Sequence, residues 1–281
     1  APMNYRHAYH AGNFADVMKH ASLALVIDHL RQKDKPFFVL DTHAGTGRTD
    51  LSGIEAQKTG EYRDGIARLL TLEAPHCALA PYLSALTALG CTGENPTTYP
   101  GSPLIATHMA RAGDRLSFCE LHPEDAETLA QEFRHDRQVK VHAIDGYGAL
   151  KSMLPPKERR GVTLIDPPYE SRSEFDRIAR ELPHALKRFA GGTYMIWYPV
   201  KDPSVSGAFL DHLEQNGPPK TLRAELFIRG SEDPTTMSGC GLVIINPPYK
   251  LDETLASLFG WLAGTLAQGK GARARVDWLQ E

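Results

Sequence analysis

The run Asp166-Pro167-Pro168-Tyr169 stands near the middle of the chain, and Asn246-Pro247-Pro248-Tyr249 repeats its form further on. Each sets a side-chain acceptor, two prolines and an aromatic ring in the same order. Such a run suits methyl transfer to an exocyclic aryl amine, a poor nucleophile because its lone pair is delocalised into the ring. Two acceptors for the amine hydrogens, the Asp166 carboxylate and the Pro167 carbonyl, favour the pyramidal nitrogen that forms as the new bond grows. The prolines stiffen the backbone, so both acceptors are placed in advance. Tyr169 offers a face for a base turned out of its stack. Taken alone, four such residues are a strand stopped by prolines with an aromatic packed beneath, so their placement decides between the two readings.

Four polar features stand at the ends of short apolar runs of β type. Residues 37–40 lead into Asp41-Thr42-His43-Ala44-Gly45-Thr46-Gly47, the run 116–121 ends around Glu120, 139–144 leads into Asp145-Gly146, and 162–165 into Asp166. In an open parallel sheet, ligands bind beyond the carboxyl ends of the strands. His43 with Gly45 and Gly47, Glu120, Asp145 with Gly146, and Asp166 are therefore expected along one edge. Glycines let a backbone approach a ligand closely, a carboxylate accepts hydrogen bonds from ribose hydroxyls, and a polar residue at the third strand end reaches an adenine edge. The turn has neither the full GxGxxG of dinucleotide sites nor the GK[ST] of a P-loop. A nucleoside without pyrophosphate, such as S-adenosyl-L-methionine, is the expected cofactor; a bare tight turn at Gly45 and Gly47 is the competing reading.

These residues need a scaffold. Asn13 as N-cap and Phe14, Val17, Met18, Ala21 and Leu25 at helical spacing predict a helix over 14–32. Further helices are expected over 102–112, 123–135 and 174–189, with a last one carrying Leu255, Leu258, Phe259, Leu262 and Leu266. Strands are expected over 193–198, 222–228 and 242–245. Alternating strands and helices predict an α/β fold with a mainly parallel, doubly wound sheet. The last two strands are joined without a helix, so they form a hairpin and one of them runs antiparallel. If it is the second, Asn246 lies at the opposite edge from Asp166; in the converse arrangement Asn246 remains an acceptor. A βαβ unit closes in about 30 residues, and the gap after Gly47 is far longer. The expected division is a main domain of residues 1–49 and 101–281, with 50–100 as an inserted helical subdomain carrying helical pieces at 66–72 and 82–89.

Composition excludes several classes. A chain of 281 residues, 42% hydrophobic, suits one large domain with an insertion or two small ones, and buries a core without staples. At a net charge of -3, any contact with nucleic acid must come from a local basic patch. None of the four cysteines forms a CxxC pair, so neither a zinc site nor a disulfide framework is suggested. His7-x-x-His10 lacks a third ligand and reads as two polar surface histidines, so no metal is expected. No apolar run approaches membrane-spanning length and no signal-peptide pattern is present, so a soluble cytoplasmic protein is expected. Ala1-Pro2 before Met3 reads as a processing remnant. Pro155 to Arg160 reads as a charged turn, and Lys270, Arg273 and Arg275 as a solvated tail or extra phosphate contacts.

Tyr5, Arg6, His7, Tyr9, His10 and Lys19 mix aromatics with cations, as an RNA-facing lid would; His20 fits a satisfied core histidine equally well. The segment Asn4 to His20, with DTHAGTG at 41–47, TYPGSP at 98–103 and IDPPYE at 165–170, resembles the RlmJ family over nearly the whole chain. That resemblance implies a 23S ribosomal RNA adenine-N6 methyltransferase using S-adenosyl-L-methionine. It also implies a Rossmann-like class I methyltransferase fold with an antiparallel seventh strand and a helical subdomain. By the same resemblance, Lys19 and His20 close over the cofactor, His43 sits in the first glycine turn, and Ser102 caps the cofactor side of its helix. Glu120 holds the ribose, Asp145 and Gly146 the adenine of the cofactor, Asp166 is catalytic and Tyr5 touches the RNA. The expected partner is 23S rRNA, free or in an assembling large subunit, and the expected state a monomer. Competing readings are a DNA adenine-N6 methyltransferase, a glutamine-amide methyltransferase, and a nucleic-acid-binding or uptake-linked module without catalysis. Intact Asp166, Tyr169 and Glu120 argue against such decay.

Overall fold

The structure, a computed structural model, describes residues 5–281; the Ala1-Pro2 pair and Asn4, first residue of the N-terminal signature, lie outside them. Helix α1 (Phe14–Leu30) begins where expected, because the Asn13 side chain accepts the Asp16 N–H and caps it. Then follow β1 (Phe38–Asp41), β2 (Arg48–Asp50), α2 (Ile54–Thr59), α3 (Ala67–Leu70), α4 (Ala80–Ala88) and β3 (Thr98–Pro100). Next come α5 (Ser102–Met109), β4 (Arg115–Cys119), α6 (Pro123–Glu132), β5 (Val139–His142), α7 (Gly146–Ser152) and β6 (Gly161–Ile165). The chain ends with α8 (Ser173–Arg188), β7 (Thr193–Val200), α9 (Pro203–Asn216), β8 (Thr221–Phe227), β9 (Gly239–Ile245), α10 (Leu251–Thr265) and β10 (Arg273–Gln280).

Eight strands form the main sheet in the order β10-β8-β9-β7-β6-β1-β4-β5. Strands β5, β4, β1, β6 and β7 are parallel, while β9 runs antiparallel to both β7 and β8. This is a Rossmann-like, doubly wound sheet in which strand order reverses at β1. Alternation along each strand divides the core in two. Val39, Leu242 and Ile244 face α1, α5 and α10, whereas Phe38, Leu40, Val243 and Ile245 face α7, α8 and α9. Both faces are dry, so the central strands are buried end to end. No helix among the described residues is long and apolar enough to cross a membrane.

Two expectations need correction. The run 239–245 is not the last strand: Arg273 and Arg275 lie in β10, which pairs antiparallel with β8 and forms the sheet edge. They are not a loose tail. Charged residues alternating with Ala274, Val276 and Trp278 are a pattern that edge strands carry to discourage further pairing. The small β2–β3 ladder, absent from the sequence reading, joins the two ends of the segment between them. Within that segment Leu51, Ile66, Tyr82 and Leu86 belong to the same buried cluster as α1. The segment thus packs against the helix that carries Lys19.

Strand direction settles the position of the second proline run. Ile245 pairs with Tyr194 near the start of β7, so Asn246 lies at the amino edge of the parallel strands, opposite Asp166. The Asn246 amide donates to the Ala190 and Gly192 carbonyls, both at 2.8 Å, and its own carbonyl accepts the Thr193 hydroxyl at 2.8 Å. Its φ of +54° is a conformation asparagine tolerates better than most residues. Both of its donors are committed to the turn before β7, which makes this run a fastening of the sheet edge.

Candidate functional site

The turn after β1 is tied to its neighbours by Thr42 N–H to the Leu164 carbonyl (3.0 Å) and Ala44 N–H to the Cys119 carbonyl (2.8 Å). Gly45 and Gly47 both have positive φ, at +71° and +86°, so the bend requires glycine. At Gly45 a Cβ would meet nothing within 4 Å, which leaves the backbone open to the cavity. Gly146 is required for the opposite reason: a Cβ there would run into the Thr42 carbonyl. The first turn of α7 therefore rests directly on the β1 turn.

The expected strand-end residues do converge. His43, Gly45, Ser102, Glu120, Asp145, Gly146 and Asp166 line one cavity of about 410 Å³, and Tyr5, Arg6, Lys19 and His20 form its other side. Burial pushes the Glu120 carboxyl up to about 7, and the nearby Asp125 adds to the effect. Burial likewise lowers His43 to about 4, so its ring is neutral at pH 7, with Nδ1 against the Thr42 hydroxyl at 2.7 Å. Asp145 caps α7 by accepting the Tyr147 N–H at 3.1 Å and is ion-paired to Arg177, whose guanidinium lies over the Tyr147 ring.

Ser102 departs from its expected role. The N-cap of α5 is Gly101, without a side-chain cap. The Ser102 hydroxyl instead donates to buried Asp41 at 2.6 Å. Burial raises Asp41 to about 6, and that hydrogen bond moderates the rise. Ser102 thus satisfies a carboxylate that ends β1, a partnership no local pattern announces. His20 follows the core reading in its contacts. Its Nδ1 meets the Tyr99 hydroxyl at 2.7 Å, Tyr99 meets Tyr82 at 2.8 Å, and burial lowers the His20 pKa to about 3, leaving a neutral ring at the cavity wall.

The N-terminal signature reaches the proline run through a chain of charges. His7 Nε2 lies 2.8 Å from Asp16 Oδ2, Lys19 Nζ lies 3.3 Å from Asp16 Oδ1, and Lys19 also pairs with Asp166 Oδ2. Burial disfavours charge on Lys19, but Asp166 and Asp16 outweigh it and raise its pKa. Burial also works against the Asp16 charge, yet His7 and Lys19 hold its carboxyl well below the usual range. His7 and His10 are not simple surface histidines. His10 Nδ1 lies 3.1 Å from Glu61, whose carboxylate also accepts from Asn13 at 3.1 Å, and Tyr5 stacks on the His10 ring. Glu61 belongs to the segment between β2 and β3, so that segment holds the signature in place.

A second cavity, of about 600 Å³, opens on the other side of the Asp166 loop and shares Tyr5, Lys19, Asp166 and Pro167 with the first. Its floor is aromatic. Tyr169 lies 4.9 Å from Phe175 and edge-on to Trp197, with its hydroxyl donating to the Trp197 carbonyl at 2.5 Å. Lys19 Nζ sits 5.7 Å from the Trp197 ring centroid. The geometry is that of two pockets meeting at one carboxylate, with Asp166 at the shared wall. Trp197 was not singled out from the sequence; it lies inside β7, one residue past Ile196, which pairs with Ile165 just before Asp166. Arg177, Glu61 and Asp41 were not legible, because their partners lie far along the chain. Leu121, more than half exposed beside Glu120, adds apolar surface to the lining of the first cavity.

Residues 34–280 match the family RsmJ, described as "Ribosomal RNA large subunit methyltransferase D, RlmJ". The chain belongs to the RlmJ family. It is 41% identical over 277 residues to "Ribosomal RNA large subunit methyltransferase J" of Haemophilus influenzae, covering 99% of each chain. It is 40% identical to the protein of the same name from Escherichia coli, again over 99% of each. A crystal structure of a Legionella pneumophila protein is 34% identical and superposes with a TM-score of 0.88, covering 95% of this chain and 98% of that one. The family match begins after α1, whereas the matches to the two relatives span 277 residues, nearly the whole chain.

Proposed function

We propose that this chain methylates the exocyclic N6 amine of a specific adenine in 23S ribosomal RNA, with S-adenosyl-L-methionine as methyl donor. The observation that carries the reading is Asp166 standing where the two cavities meet. The names of the RlmJ-family relatives support the RNA substrate, and the strand-end carboxylates support the cofactor. In the first cavity Glu120 would accept the ribose hydroxyls, Asp145 and Gly146 would meet the cofactor's adenine, and the glycine turn would approach the ligand through bare backbone. When bound, S-adenosyl-L-methionine supplies an electrophilic methyl group. In the second cavity Tyr169 and Trp197 would receive the extruded base. Asp166 and the Pro167 carbonyl would accept the two amine hydrogens and concentrate the lone pair on nitrogen. The proton released after transfer leaves to Asp166 or to water. Lys19 and His20 would close the cofactor side, and Tyr5 with Arg6 the RNA side.

The deciding experiment supplies labelled S-adenosyl-L-methionine with deproteinised 23S rRNA, duplex DNA or total protein. Label recovered as N6-methyladenine in the RNA is the expected result; label confined to DNA or protein would overturn the substrate. Asn246→Ala should keep transfer within about twofold of the parent while costing about 1–2 kcal/mol of stability, from two carbonyls left without their donor. A loss of transfer in a folded Asn246→Ala protein would return the second proline run to the chemistry.

Cofactor binding should also depend on pH through Glu120. The ionised carboxylate is the better acceptor for ribose hydroxyls, and its pKa is raised to about 7. Affinity should therefore rise with pH across that value, by up to about tenfold per pH unit on the acid side, where each unit costs about 1.4 kcal/mol. Calorimetric titration at several pH values would show this slope in the parent and a flatter profile in Glu120→Gln. Equal slopes in the two would remove Glu120 as the ribose acceptor.

A further inference from the structure

The second cavity extends well beyond what a single base needs. From Trp197 and Phe175 it runs outward to Thr235 and Gln268 beside the β8–β9 loop. Three cations, Arg172, Lys201 and Arg229, line this outer part. Arg229 is already committed, donating to the Thr236 hydroxyl at 3.1 Å and the Met237 carbonyl at 2.8 Å. Arg172 and Lys201 are exposed, and among the described residues neither side chain makes an ion pair or a hydrogen bond. Asp202, next to Lys201 in sequence and also lining the cavity, caps α9 through the Ser204 N–H at 3.0 Å; the Ser204 hydrogen bonds lower its pKa, with a smaller contribution from the Arg172 charge. An aromatic floor with uncommitted cations at its mouth matches a polynucleotide strand, whose bases stack inside while its phosphates stay at the rim.

We propose that Arg172 and Lys201 bind the backbone phosphates on either side of the target adenosine, and that the outer cavity seats one flanking nucleotide. The proposal rests on the RNA methyltransferase reading and adds a phosphate subsite to it. It explains how a chain of net charge -3 engages RNA at one place without binding it everywhere: the cations are few and line the cavity that Asp166 also lines. Phosphate contacts fix register and carry little sequence information, so these two residues would position the strand while the inner cavity reads the base.

The test measures binding of a fluorescein-labelled single-stranded RNA by anisotropy over a series of salt concentrations, and methylation kinetics on deproteinised 23S rRNA. The proteins are the parent chain, Arg172→Ala, Lys201→Ala, the double variant, and Arg172→Lys with Lys201→Arg. Each phosphate contact on a single strand contributes about 0.7 to the slope of log affinity against log salt. Each alanine variant should lower that slope by about 0.7 and the double variant by about 1.4. KM for RNA should rise while kcat and cofactor affinity hold, and the charge-conserving variant should restore the slope. An unchanged slope in variants that still methylate overturns the proposal, as does a fall in kcat with KM unmoved. If the parent chain neither binds nor methylates RNA, the methyltransferase reading fails and this subsite with it.

Discussion

Asp166→Ala should lower methyl transfer to RNA by on the order of 10²–10³-fold, the scale seen when one preorganised group facing developing charge is removed. Its Oδ2 is taken by Lys19. No described residue donates to its other oxygen within hydrogen-bond distance, which leaves that oxygen for an incoming amine. The Pro167 carbonyl survives the substitution, so one of the two acceptors remains and some transfer persists. Cofactor affinity should stay within a few-fold, since Glu120, Asp145 and the glycine turn are untouched. Single-turnover transfer of labelled methyl, beside a calorimetric titration of the cofactor, separates the two effects. Undiminished transfer would take Asp166 out of the chemistry, and a parallel loss of cofactor binding would make it a pocket residue instead.

The second large effect concerns stability. Lys19→Met should destabilise the fold by about 3–5 kcal/mol, the cost of breaking a buried pair by removing one partner. The Lys19 side chain is 7% exposed and that of Asp16 1%. Without the ammonium, the Asp16 carboxylate keeps, among the described residues, only His7 and the Gly12 N–H at 2.9 Å. At roughly 2–4 °C per kcal/mol for a chain of this size, the melting midpoint should drop by on the order of 10 °C. The pH dependence has a definite sign. Lys19 has a raised pKa, so its contribution is complete below about 10.4 and is lost only above that. Asp16 has a depressed pKa, so its contribution is complete above about 3.9 and disappears as the pH falls further. The parent-minus-variant difference should accordingly be flat near neutrality and shrink in strong acid. Thermal denaturation at pH 7 and in acid measures both; a midpoint lowered by only a degree or two at pH 7 would mean the pair is not holding the helix to the loop.

Much of the site was legible because its signals are local. A short apolar run followed by a polar residue or glycine marks a strand and its end within a handful of residues, so His43, Glu120, Asp145 and Asp166 could be placed on one edge before any contact was known. The cap of α1 at Asn13 was legible for the same reason. The edge strand β10 left a readable trace as well, in Arg273, Arg275 and Asp277 alternating with apolar residues, but a short charged run near the end of a chain reads equally well as a solvated tail. The cap at Ser102, implied by the resemblance, falls to Gly101 instead, and the bond from the Ser102 hydroxyl to Asp41 joins residues 61 positions apart.

The sequence by itself determined the alternation of strands and helices, the polar strand ends and two equivalent proline runs. Tertiary structure alone decided which run lines the cavities. Asp166 and Asn246 sit in nearly the same local setting, and what separates them is that β6 runs parallel to β1 while β9 runs against β7. Direction in a sheet is set by pairing between distant segments, so no window of sequence contains it. Likewise Lys19 becomes a buried partner of Asp166 only when residues 147 positions apart are brought together. Local chemistry proposes the groups, and the long-range packing that orders the strands chooses which of them meet.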